Sequence, residues 1–173
     1  MSKQKSARDR ILEAAAEVAR SQGAGHLSLE SVAEKAGISK GGLLYHFPSK
    51  AALMRGSVEY FIADLERRLQ AATADGRTTE LAAFLAFTLD DCAAPKADGA
   101  GVLAAMAEDP DFLQPVRTFQ RALLDRLLAS SRDPGQTLLV YLALEGLRSA
   151  HMFNMDVLTP AELEQAKAAM QKG

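Results

Sequence analysis

The sequence contains a single cysteine, Cys92, so it has neither a pair of thiols for an internal disulfide nor a thiolate cluster for a metal. We expect Cys92 to be a small apolar filler on a helix, with a redox-sensing thiol as the alternative. No apolar run approaches the ~20 residues that a membrane-spanning helix needs. The charged start MSKQKSARDR also lacks the apolar segment of a secretory signal. These absences predict a soluble, cytoplasmic protein without membrane contact.

Strand signals and reaction centres are missing as well. There is no sustained period-two alternation, and β-branched residues are sparse, so we expect no sheet. Clustered carboxylates, Ser/His/Asp or Cys/His sets and metal-ligand spacings are absent, which argues against an enzyme, a cofactor and a metal site. Helical periodicity instead runs along nearly the whole chain and predicts an all-α fold of about nine helices.

The charge is unevenly distributed along the chain. Residues 1–50 carry eight Lys/Arg against five Asp/Glu, a net charge of +3, whereas residues 51–173 carry a net charge of −5. A basic head on an acidic body fits a small DNA-contacting module attached to a domain with another task.

Residues 28–47 have the size and punctuation of a DNA-binding helix-turn-helix. Ser28 and Ser39 are placed to cap its two helices, Gly37 can take the positive φ of the turn between them, and Pro48 ends the second helix. Upstream, Ser6 and Asp9 form a near capping box at the start of the first helix. A major groove about 12 Å wide accepts one α-helix, and the first helix of the motif holds the second one in place.

Two adjacent glycines, Gly41 and Gly42, lie within the second helix of this motif, although each costs ~1 kcal/mol relative to alanine in a helix interior. Close approach of the helix N-terminus to DNA would explain them. The alternative is a glycine-rich loop with no helix at this position.

The stretch AGISKGGLLYHFPSKAAL resembles the signature of TetR-family (tetracycline-repressor-like) regulators, and the similarity covers residues 7–60. The resemblance implies base-edge contacts from Lys40, Gly41, Gly42 and Leu44. It implies phosphate contacts from Ser39, Tyr45, His46 and Lys50, and from Ser28 and Leu29 through a side chain or a backbone amide. This sequence has Leu44 where a tyrosine is frequent, and Gly42 where a hydroxyl residue is frequent. Direct readout of bases is therefore expected to depend on Lys40 and on DNA shape.

We expect a helix-turn-helix DNA-binding domain at residues 1–50, joined by a long helix to a helical effector-binding and dimerisation domain at residues 51–173. The second domain is rich in bulky apolar residues, which form either plain core or an apolar effector pocket with a few polar groups. The candidate pocket residues are Phe84, Phe87, Thr88, Met106, Phe119, Tyr141, Glu145 and Arg148. Arg148 and His151 could meet an anionic head group or satisfy each other at an interface.

The predicted helix 136–155 is apolar on nearly all sides, so it must be buried on all sides, and a second copy of the chain can supply part of the cover. Together with the last helix it predicts a two-fold, four-helix interface. The candidate interface residues are Leu138, Leu142, Gly146, Leu163, Ala166 and Met170. Such a dimer would place two recognition helices about 34 Å apart, in successive major grooves.

These observations predict a homodimeric repressor that binds double-stranded operator DNA and is released by a small apolar or amphipathic effector. The alternative is a helical adaptor that binds protein rather than DNA.

Overall fold

The structure is a computed structural model that describes residues 6–22, 27–93 and 100–171. Within those ranges all regular structure is α-helical, which confirms the predicted fold class, and there are nine helices. They are α1 (Ala7–Gln22), α2 (Leu29–Ala36), α3 (Lys40–His46), α4 (Lys50–Thr73), α5 (Glu80–Ala93), α6 (Ala100–Glu108), α7 (Gln114–Ser130), α8 (Pro134–Met152) and α9 (Pro160–Met170). None of these described helices is long and apolar enough to cross a lipid bilayer.

The helices form two compact units that do not follow chain order. The first contains the described residues as far as Asp64 together with those from 100 to 116, and the second contains residues 65–93 and 117–171. Helices α4 and α7 therefore contribute to both units, whereas α6 belongs to the first. The functional division predicted after residue 50 stays a prediction, since these units describe packing only.

The first unit is built on the apolar sides of α1, α2, α3 and the start of α4. Its buried core includes Ile11, Leu12, Val18, Val32, Leu43, Phe47 and Leu53. Ala105 of α6 and Phe112, just beyond α6, are buried in the same core, and Arg55 of α4 forms an ion pair with Asp109. A segment far along the sequence is thus packed into the unit that contains the helix-turn-helix.

The local signals for the helix ends are confirmed. The Asp9 amide donates to Ser6 Oγ at 3.1 Å, the Ser28 side chain accepts from the Ser31 amide, and the Ser39 side chain accepts from the Gly42 amide. Gly37 is left-handed with φ of 66°, and its amide closes the C-terminus of α2. Caps and turns depend on a few neighbouring residues, and the pattern of residue types is therefore sufficient to predict them.

The second unit is held by an apolar core and a carboxylate–guanidinium network. Phe84 and Tyr141 stack with ring centroids 6.1 Å apart, beside the fully buried Leu144. Arg126 of α7 donates to Glu80 at 2.8 Å and to Glu66 at 3.0 Å, so α7 is tied to α5 and to the end of α4.

Helix α8 has different ends from the predicted 136–155. It begins at Pro134, where the Asp133 side chain accepts from the Gln136 amide, and it ends at Met152. Asn154 takes a positive φ of 53°, which a helix cannot continue through. The predicted end at Met155 was wrong because the apolar pattern persists past the last helical turn.

Candidate nucleic-acid interface

Helix α3 has one buried and one open face. Leu43 and Phe47 are 0% and 3% exposed, so they fix the helix to the first core. On the other side Tyr45 is 86% exposed, Lys40 and Gly41 are exposed, and Gly42, Leu44 and His46 are partly exposed. The residues that the resemblance assigns to DNA therefore lie on the part of α3 that the protein does not cover.

The two glycines of α3 lie in its first turn and differ in their surroundings. A Cβ atom at Gly41 would meet no side chain closer than Ser39 Oγ at 4.0 Å, whereas a Cβ atom at Gly42 would lie 3.3 Å from the same oxygen. The protein itself therefore leaves room for a side chain at position 41. The predicted helix is confirmed, and the alternative of a glycine-rich loop is wrong, because Lys40–His46 is a capped α-helix.

The positive charges of this surface have unequal surroundings. Lys40 Nζ lies 2.5 Å from Glu30 Oε1 on α2, although both side chains are more than half exposed. Lys50 is exposed at the first residue of α4, where Ser49 Oγ accepts the Ala52 amide. Sequence reasoning missed Glu30: it lies ten residues from Lys40, and no local spacing links the two positions.

The residues predicted to contact phosphate at the starts of α2 and α3 differ in the hydrogen-bond donors that they have available. Ser28 Oγ donates to Ser31 Oγ at 3.0 Å and accepts from the Ser31 amide, so its only proton is already used in the cap. Leu29 packs partly against the first core, and its amide, at the first helical position, is one that a helix leaves without an internal partner. Ser39 Oγ accepts from the Gly42 amide at 3.0 Å and retains its own proton to donate.

His46 and Tyr45 form the end of the exposed face. Their rings meet edge to face with centroids 5.2 Å apart. Behind them, the Arg8 guanidinium lies over the Phe47 ring at 5.4 Å and 3.8 Å from Glu59. The Arg8 guanidinium of α1 thus packs on Phe47, the residue that caps the C-terminus of α3.

The candidate effector residues are divided between the two units. Met106 is 41% exposed on α6 in the first unit, while the other seven belong to the second unit. There Phe84, Thr88 and Tyr141 are buried, and burial raises the pKa of Tyr141, with the Glu145 charge adding to the effect. Phe87 lies under the Arg68 guanidinium at 4.2 Å, and Phe119 packs partly against the second core.

Glu145 and Arg148 form a pair inside the second unit. Glu145 Oε2 accepts from Arg148 Nη2 at 2.5 Å and from Gln120 Nε2 at 2.6 Å. Its other oxygen, Oε1, is buried, and no donor within the described part of the chain reaches it. Arg148 is therefore committed to Glu145 rather than to His151, and a carboxylate oxygen is left with unused accepting capacity.

Cys92 is half-buried on α5, and burial raises the pKa of its thiol, with Asp91 and Asp156 adding to the effect. The thiolate is the reactive form of cysteine, so a raised pKa favours the apolar filler over the redox sensor.

Helix α8 exposes a stripe of apolar residues. Leu138, Leu139 and Leu142 are 39%, 65% and 63% exposed, and Gly146, one turn beyond Leu142, has nothing within 4 Å of a Cβ position. On α9, Leu163 and Ala166 are partly exposed. Met170 is 7% exposed within the second core, so its side chain is used inside its own chain. The sequence-based list included Met170 but omitted Leu139.

The chain resembles a curated protein over part of its length and solved structures over nearly all of its length. The nucleoid occlusion factor SlmA of Aliivibrio fischeri is 34% identical over 73 residues, which are 42% of this chain and 37% of that protein. The chain thus matches well under half the length of these curated relatives. Among solved structures, a transcriptional regulator from Rhodococcus sp. Rha1 has a TM-score of 0.66 at 21% identity, with 96% and 95% of the two chains covered. Multidrug binding protein EbrR with imidazole has a TM-score of 0.61 at 21% identity, with 98% and 95% covered. Those two structures show the same fold.

Two family models cover most of the chain. The model described as "Bacterial regulatory proteins, tetR family" matches residues 11–56, from α1 into α4. The model described as "Tetracyclin repressor-like, C-terminal domain" matches residues 76–172, which is more than half of the chain. Both matches agree with the predicted absence of enzymatic activity, since the family is one of regulators. The chain belongs to the tetR family of bacterial regulatory proteins.

Proposed function

We propose that the protein is a homodimeric transcriptional repressor that binds operator DNA in the cytoplasm and is released by a small amphipathic molecule. The observation that carries the proposal is helix α3, whose apolar side is sealed into the first core while Lys40, Gly41 and Tyr45 stand open. A short helix fixed on one side and bare on the other has the form that insertion into a major groove requires.

Salt dependence tests DNA binding directly. Because each neutralised phosphate releases counterions, the affinity for duplex DNA should fall steeply with salt, with a log–log slope of about −0.9 per phosphate contact. Fluorescence anisotropy of a labelled duplex, titrated with the full chain at increasing salt, measures that slope. An adaptor that binds only proteins would leave the anisotropy unchanged even at 50 mM salt.

Gly41→Ala is expected to separate folding from DNA binding. The protein offers open space at this position, so the substitution should leave stability unchanged or raise it by at most ~1 kcal/mol. Against DNA the same methyl group would stand where the start of α3 approaches a base edge or the backbone, and operator affinity should fall about tenfold, a loss of about 1.4 kcal/mol. Thermal unfolding and duplex titration measure the two effects.

Gly135→Ala is the matched control, since Gly135 is also the second residue of a helix and is exposed on α8. It should leave operator affinity at the wild-type level. If Gly41→Ala bound the operator as tightly as Gly135→Ala, close approach to DNA would not be the reason for the glycine.

The chain connectivity supports coupling between the effector and DNA. The chain passes from one compact unit to the other three times, within α4, before α6 and after Val116. Ala105 and Phe112 anchor the α6 segment in the core that carries α3. An effector that changes the second unit therefore acts on the first through three connections: α4, the chain before α6, and α7, which contains residues of both units. A coupling free energy of ~1–3 kcal/mol is enough to change operator occupancy.

The unused oxygen of Glu145 supports an effector that carries a hydrogen-bond donor on an apolar body. A buried carboxylate oxygen without a donor costs free energy, and a protonated amine would supply both a donor and a charge. We therefore expect decylamine to bind better than decyltrimethylammonium, which is a cation without an N–H donor, and better than decanoate.

Glu145→Gln should reduce decylamine affinity about tenfold, since it removes the charge of a charge-assisted hydrogen bond, and should leave operator affinity in the absence of ligand unchanged. Isothermal titration calorimetry with the three ligands measures this. Equal binding of decylamine by both proteins, or tighter binding of decanoate, would contradict the assigned role of Glu145.

A further inference from the structure

The Glu30–Lys40 pair joins the starts of the two helices of the DNA-binding motif. Glu30 lies in the first turn of α2 and Lys40 is the first residue of α3, with the Gly37 turn between the helices. The ammonium donates to Glu30 Oε1 at 2.5 Å, across an exposed surface. The carboxylate thus lies at the point where the motif is proposed to meet the duplex.

The chemistry of the pair leaves Lys40 with capacity for a second partner. The Glu30 carboxylate is exposed and ionised at neutral pH like any glutamate, and the hydrogen bond from Lys40 lowers its pKa further. An ammonium group has three N–H donors, of which Glu30 uses one. Guanine presents two acceptors, O6 and N7, side by side in the major groove, and these match the two donors that remain.

We propose that Glu30 is a specificity-determining residue. Its carboxylate positions the Lys40 ammonium for hydrogen bonds to guanine, and its negative charge weakens the attraction of that ammonium to DNA phosphates. The inference rests on the proposed function, because it concerns how the same DNA-binding surface distinguishes sequences.

Counterion release explains how a carboxylate can raise specificity. A free lysine gains affinity at any phosphate, whereas a lysine already paired with a carboxylate releases little salt when it approaches one. Glu30 also lies near the duplex in its own right and repels the backbone on every sequence. A guanine at the right step offers the paired lysine two adjacent acceptors without loss of the old hydrogen bond, whereas any other base offers at most one.

The test begins with the operator that the wild-type chain selects from random duplexes, and with a duplex of scrambled sequence. Glu30→Gln should bind the scrambled duplex about three- to tenfold more tightly, with a salt slope steeper by about 0.9 per protomer. The ratio of operator to scrambled affinity should fall about tenfold. Glu34→Gln, which removes the same charge from an exposed site one turn along α2, should change these quantities much less.

A cycle with Lys40→Met shows whether Glu30 acts through the lysine. In the Lys40→Met background, Glu30→Gln should no longer change the penalty for replacing the contacted guanine, and Glu30→Asp should restore part of the discrimination in the wild-type background. Unchanged specificity in Glu30→Gln would overturn the inference. So would a loss of preference for cytosine, since Glu30 would then read a base itself. If the wild-type chain bound no duplex at all, the proposed function would fail instead.

Discussion

Replacing Leu142 by glutamate is expected to give a folded monomer whose operator affinity is lower by about 100-fold or more. Leu142 is 63% exposed on α8 and lies in an apolar stripe with Leu138 and Gly146. In a two-fold interface each carboxylate would be buried against a second copy of the same apolar stripe, at the cost of desolvation. A monomer holds one recognition helix and loses the gain that linking two half-site contacts provides.

Sedimentation velocity and duplex titration measure the two consequences in the same sample. Ala122→Glu places the same charge on an exposed position of α7 in the same unit and should remain dimeric with wild-type affinity. A Leu142→Glu protein that sediments as a dimer would exclude this face of α8 as the interface. A fully monomeric wild-type chain with tight operator binding would contradict the dimer itself.

Gly56→Ala is expected to destabilise the unit that carries α3. Gly56 is buried on α4, and a Cβ atom there would lie 2.7 Å from Phe47 Cε1 and 3.4 Å from Leu12 Cδ2. Phe47 caps the C-terminus of α3 and is 3% exposed, so its ring has little room to move. Overpacking of a core costs about 1–3 kcal/mol, and the helix propensity of alanine returns at most ~1 kcal/mol of it.

Chemical denaturation should therefore show a net loss of up to about 2 kcal/mol for the first unit. Gly41→Ala, which adds a methyl group to open space on α3, is the control and should show no loss. The combination Gly56→Ala with Phe47→Leu should lose less than the sum of the two single variants, because the smaller side chain removes the clash. A more stable Gly56→Ala protein would mean that α4 does not pass this closely beside Phe47.

The features that could be predicted well from the sequence are those that depend on interactions between residues close together in the chain. The caps at Ser28 and Ser39, the left-handed Gly37 and the buried face of α3 each follow from residues within one or two turns. The assignment of Tyr45 to the open face of α3 follows from the same helical period, since Leu43 and Phe47 occupy the other side.

The features that were missed arise from residues distant in sequence. The Glu30–Lys40 pair, the passage of Gly56 beside Phe47 and the inclusion of Ala105 and Phe112 in the first core each require the helices to be placed in space. Met170 also shows that the sequence pattern alone does not determine where a side chain packs. Its apolar position on the last helix fits an interface and an internal core equally well, and packing of the second unit assigns it to the core.

The measurement that tests the central claim most directly is selection of duplexes from a random pool by the wild-type chain of residues 1–173, followed by sequencing of the bound fraction. Two α3 helices reading successive major grooves predict enrichment of an inverted repeat, with half-sites about 10 base pairs apart or a multiple of that distance. Recovery of a pool as random as the one supplied, with no retention of duplex at low salt, would show that the open face of α3 serves some other purpose than reading DNA.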